Sequence, residues 1–120
     1  MPSVEIPIEC REATTSLISK GSSGTGSITC ESFCRIKGVN VRPSASTSFD
    51  FTLYRDSSMN KPIYIYDKSA ADSVGIIDTP DILYVEDGSD GKIYYKIEND
   101  SGGSDATFSI ELMIWSGAQG

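Results

Sequence analysis

Two segments late in the chain, GKIYYKIEND and ATFSIELMIW, alternate apolar and polar residues with a period of two. From Lys92 to Glu98, Ile93, Tyr95 and Ile97 share one face and Tyr94, Lys96 and Glu98 the other. From Phe108 to Trp115, Phe108, Ile110, Leu112 and Ile114 share a face, with Ser109, Glu111, Met113 and Trp115 opposite. Successive side chains of a strand point to opposite sides, so each segment offers one apolar row to a core. The spacing predicts a closing hairpin in which Ile97 lies opposite Phe108, Tyr95 opposite Ile110 and Ile93 opposite Leu112. A slip of one residue would turn an apolar row to water, so the register is firmly specified.

The rest of the chain reads the same way. SFDFTLY puts Phe49, Phe51 and Leu53 inward. In PIYIYD, Ile63 and Ile65 occupy one face and Tyr64 and Tyr66 the other. In FCRIKGVNV the phase changes around Gly38, which predicts a β-bulge. SVGII and ILYVED are short strands around a DTPD turn, and DGSDG is a strong turn signal. No apolar period of 3.6 residues appears. The expected fold is an all-β antiparallel sandwich, jelly-roll-like, with about seven to eight strands. Before it, Val4, Ile6 and Ile8 alternate with Ser3, Glu5 and Pro7 as an extended N-terminal arm. GSSGTGS, from Gly21 to Ser27, reads as a linker or exposed loop. The expected division is an arm and loop over 1–26 and a sandwich over 27–120.

Composition narrows the class of function. With 120 residues, 38% of them hydrophobic, one core is affordable without covalent staples. The net charge of −7 argues against a nucleic-acid backbone as partner, since phosphates reward clustered Lys and Arg. No apolar run approaches a membrane span and no basic leader precedes an apolar stretch, so neither membrane nor secretion is expected. Cys10, Cys30 and Cys34 are an odd set, which fits thiols kept reduced in cytoplasm. Asn99-Asp100-Ser101 matches a glycosylation sequon but reads as turn residues.

Chemistry is sparse. The chain has no histidine, which removes the commonest general base. Carboxylate pairs such as Asp78 with Asp81 could serve a glycosidase-like scheme in principle, and surface turns explain them better. Three thiols without histidine make a poor zinc set. Glu86, Asp87 and Asp90, with Asp100 and Asp105 in a following loop, would suit calcium if loops brought them together, although the same residues are what turns require. No catalytic, cofactor or metal role is therefore assigned. Met113, Trp115 and Tyr94 form an outward row that reads either as a contact surface or, for Trp115, as a lid on the open end of the core. Tyr64, Tyr66, Tyr94 and Trp115 would serve as stacking platforms if the chain were a carbohydrate-binding module.

The succession FTLYRD, PIYIYD, ILYVEDGSDGKIYYKIEND and ATFSIELMIW, spanning roughly Ile36 to Trp115, resembles small β-sandwich proteins of tailed-bacteriophage virions, of the capsid decoration and tail accessory types. The resemblance lies in fold-shaping elements and carries over no active site. It implies a non-enzymatic virion subunit, made in host cytoplasm. Such a subunit would be a homo-oligomer that contacts other virion proteins (major capsid or tail proteins) through Val4, Ile6 and Ile8 of the arm and through a sandwich face. A capsid decoration or cement subunit is the first expectation; a tail, neck or fibre component is the alternative within the class.

Overall fold

The computed structural model describes residues 8–30, 33–67, 75–85 and 91–116. In chain order its strands are β1 (Ile8–Thr14), β2 (Ser23–Thr29), β3 (Phe33–Pro43), β4 (Phe49–Tyr54), β5 (Pro62–Asp67), β6 (Ile76–Asp78), β7 (Ile82–Val85), β8 (Lys92–Asn99) and β9 (Phe108–Ser116). They build two sheets in which every pairing is antiparallel. Sheet 1 has the order β1-β9-β3, with β6 and β7 both along the far edge of β3, and sheet 2 the order β2-β8-β4-β5. β6 pairs with Val39–Val41 and β7 with Phe33–Ile36, so the two share one edge position, interrupted at Thr79-Pro80-Asp81. Proline offers no N–H to a ladder, and the break falls at Pro80.

Nine segments thus occupy eight positions. Apart from the collinear β6 and β7, only β4 and β5 are sequence neighbours that also pair; every other connection changes sheet. This is the jelly-roll arrangement, and the all-β antiparallel sandwich is as expected. Inward residues from both sheets meet in one core. Phe49, Phe51, Leu53, Ile93 and Ile97 come from sheet 2, and Ile36, Val39, Val41, Phe108, Ile110, Leu112 and Ile114 from sheet 1. Phe49 and Phe108 meet edge-on across it, with ring centroids 4.9 Å apart.

The closing hairpin is corrected. β8 pairs with β2 and β4, whereas β9 pairs with β1 and β3, so the two lie in different sheets. Their apolar rows face one another through the core instead of lying side by side. Alternation reports which face of a strand is buried and is silent on which backbone supplies its hydrogen bonds.

The Gly/Ser segment is corrected as well. Ser23–Thr29 is strand β2, and a boundary at residue 26 falls inside it. Gly24, Gly26 and Ile28 face inward while Ser23, Thr25, Ser27 and Thr29 face solvent. A Cβ at Gly26 would lie 2.5 Å from Cζ of Tyr95, and one at Gly24 would lie 2.5 Å from Cδ1 of Ile18. The glycines are there because two large side chains occupy the space a Cβ would need. Of the expected arm, Ile8 opens β1 and pairs with Trp115 of the same chain, while Val4 and Ile6 lie outside the described residues. The bulge falls as expected: the register shifts between Ile36 and Gly38, leaving Lys37 as the extra residue. In PIYIYD the tyrosines pack toward the core and Ile65 is 66% exposed.

Candidate functional site

The outer face of sheet 1 is set by register. Cross-strand rows run Trp115–Arg35, Cys10–Met113–Gly38 and Glu12–Glu111–Asn40–Ile77. Met113 is half-buried because it lies on Gly38, where a Cβ would approach its Cε to 2.8 Å. The bulge turns both Lys37 and Gly38 outward. Lys37 thereby places its ammonium 4.6 Å from the Trp115 ring centroid, a cation–π geometry. The same Nζ lies 3.3 Å from Asp81 Oδ1, and Arg35 Nη1 donates to that oxygen at 3.1 Å. The Arg35 hydrogen bond, joined by Lys37, outweighs desolvation and holds the Asp81 carboxyl below the usual carboxylate range. Ile77, at the far edge, is 76% exposed. Trp115 therefore sits on the outer face, half-exposed under a lysine, and does not close the core. Its Nε1 is buried and among the described residues finds no hydrogen-bond partner.

Tyr94 does not join this row. It stands on the outer face of sheet 2, on the opposite side of the sandwich, beside Tyr54 of β4. Tyr64 and Tyr66 face inward: Tyr64 meets Phe51 edge-on at 6.3 Å and donates its hydroxyl hydrogen to Asp78 Oδ2 at 2.7 Å. The four aromatics expected to form one stacking platform are thus distributed over three places. The strand partnership of β8 and β9 separates Tyr94 from Trp115, and the inward facing of β5 removes Tyr64 and Tyr66.

The acidic groups have local roles. Asp78 accepts from Tyr64 and from the Thr79 N–H, and Asp81 from Arg35 and Lys37, so the pair is divided between separate partners. For the calcium set, Asp87 and Asp90 lie outside the described residues. Asp105 accepts the Lys20 N–H at 2.9 Å. Asp56, which carried no expectation, is 7% exposed and ties its own loop: Ser58 Oγ, the Asn60 N–H and the Lys61 N–H all donate to it. Desolvation pushes its pKa up, but these bonds outweigh it and the net shift is downward.

Two arrangements were not legible beforehand. Cys10, Glu12 and Glu111 bring a thiol and two carboxylates within 4.8 Å of one another on sheet 1, through the β1–β9 register. Hard oxygens with a protonated thiol match no single ion well, and Glu111 is already bonded by Asn40 Nδ2 at 2.9 Å. Desolvation, then Glu111 and Glu12, push the Cys10 thiol up. The second is a buried knot at the end of β8. Asn99, 4% exposed, donates to the Ile18 and Ser104 carbonyls at 3.0 and 2.8 Å and accepts from Thr47 Oγ1 at 2.6 Å. The sequon asparagine is thus a structural tie inaccessible to a glycosyl transferase. Comparison with protein-family models finds no match, and neither does comparison with curated proteins.

Proposed function

We propose that this chain is a non-enzymatic structural subunit of a virion, in the first place a capsid decoration subunit of a tailed bacteriophage, that assembles with its own copies and with neighbouring particle proteins. The observation that carries the reading is the outer face of sheet 1. There Trp115 and Met113 stand on the central strand β9, Ile77 is exposed at the edge, and Lys37, Arg35 and Asp81 border the tryptophan. Large apolar and aromatic side chains with charged residues at their border are the composition of a protein contact surface. The jelly roll, an architecture that recurs in viral capsid domains, agrees with it. The absence of histidine and the structural use of Asp78 and Asp81 favour a role without catalysis. Val4 and Ile6 precede β1, at the edge of the same sheet, where strand addition to a neighbour would extend the surface.

The test is mass by light scattering on the intact chain and on Trp115→Ser. The intact chain should give a discrete multiple of 12.9 kDa, and the variant the monomer mass with an unchanged thermal midpoint. A monomeric wild type, or a variant that keeps the multiple, overturns the contact face. Deletion of residues 1–7 should weaken assembly without unfolding. A cut reaching residue 20 would instead remove β1 and the buried Ile18, and so could not isolate the arm.

A further inference from the structure

The outer face of sheet 2 differs in chemistry from that of sheet 1. Tyr54 and Tyr94 lie opposite one another on the two central strands, both half-exposed. Their row continues to Ser27 on β2 and Pro62 on β5, and the adjacent row holds Thr25, Lys96, Thr52 and the exposed Ile65. Because Gly24, Gly26 and Ile28 are drawn inward, β2 turns the hydroxyls of Ser23, Thr25, Ser27 and Thr29 to solvent.

Two features of this face select its ligand. Adjacent strands lie about 4.8 Å apart, close to the length of one pyranose ring, so tyrosines on neighbouring strands suit successive rings of a glycan laid across the sheet. The second is charge. Beside the tyrosines Lys96 is paired with Glu98, its Nζ 3.2 Å from Glu98 Oε1, so the charges nearest the rings offset one another. Aromatic rings and hydroxyls bordered by such a pair complement an uncharged ligand that offers C–H faces for stacking and hydroxyls for hydrogen bonds.

We propose that the outer face of sheet 2 binds an uncharged oligosaccharide, with Tyr94 and Tyr54 under successive sugar rings and Ser27, Thr25 and Lys96 hydrogen-bonding the hydroxyls. The site is on the opposite side of the sandwich from Trp115, so it stands or falls independently of assembly through sheet 1.

The test is affinity electrophoresis of the intact chain through gels containing hydroxyethyl cellulose, galactomannan or dextran. At least one should retard the wild type. Tyr94→Ala and Tyr54→Ala should each weaken retention at least tenfold, while Tyr94→Phe, which keeps the ring, should leave it intact. Trp115 emission should not change on binding. Absence of retardation in all three gels, or retention unchanged in both alanine variants, overturns the proposal. So does a light-scattering mass that falls in Tyr94→Ala, because a second copy of the chain would then be what covers this face.

Discussion

A sandwich has two open sides, and here a tyrosine covers each of them in a different way. Where β1 and β2 run, Tyr95 leans over Gly26 and Ile18 over Gly24, and Tyr95 is left 5% exposed. Where β5 and β6 run, Tyr64 spans from sheet 2 to sheet 1 and donates to Asp78. The first side is sealed by shape and the second by a charge-assisted hydrogen bond. The difference shows in the phenols. Burial alone raises the Tyr95 ionisation, whereas for Tyr64 burial is joined by the bond to Asp78. A side sealed by shape tolerates loss of a hydroxyl but no added volume; a side sealed by a bond has the opposite weakness.

The largest effect should come from Gly26→Val, which drives methyl groups into the buried Tyr95 ring at a cost of about 3 kcal/mol, read as a lower urea midpoint. If the variant is as stable as the wild type, Tyr95 is not held by shape and the contrast between the sides fails.

Next is Asn99→Ala, also on the β1 and β2 side. It removes three hydrogen bonds from a buried knot, to the Ile18 and Ser104 carbonyls and from the Thr47 hydroxyl, so about 2 kcal/mol should be lost. Hydrogen exchange should quicken at Ile18 and Ala106, which bond each other's backbone across the loop. Unchanged exchange there would mean that Asn99 does not tie this loop.

The smallest effect sharpens the comparison most. Tyr64→Phe should cost about 1.5 kcal/mol, because Asp78 loses a donor, whereas Tyr95→Phe should cost less than about 0.5 kcal/mol. Equal costs would erase the distinction. Both phenols have folded-state ionisations raised above the usual value near 10. Their contribution is therefore complete below about pH 10 and is lost as the pH rises further, since unfolded phenols release protons that folded ones retain. Alkaline unfolding followed by circular dichroism should be less steep in Tyr64→Phe.

How much was legible in the sequence depended on how local the signal was. Phe49, Phe51 and Leu53, like Ile93 to Ile97 and Phe108 to Ile114, declared their buried faces because alternation is a property of one strand. The bulge at Gly38 was visible as a change of phase within one segment. PIYIYD was ambiguous because both of its faces are apolar, and burial favoured the tyrosines. The alternation of Gly24, Gly26 and Ile28 with Ser and Thr was present in GSSGTGSIT, but glycine carries no hydrophobic signal and the segment looked like a linker. The outward placement of Met113, Trp115 and Tyr94 was legible for the same local reason. Their separation onto opposite faces, and the pairing of Tyr94 with Tyr54, were not.

By itself, the sequence determined the strands of the apolar-rich body, which way most of their residues face, and a chemistry without histidine. Only the tertiary structure decided which strands share a sheet, hence which side chains share a surface. The physical reason is that strand partners here come from distant parts of the chain, β1 with β9 and β2 with β8. That choice rests on backbone hydrogen bonds available to any residue and on the fit of whole faces, such as Tyr95 over Gly26, which no single segment contains.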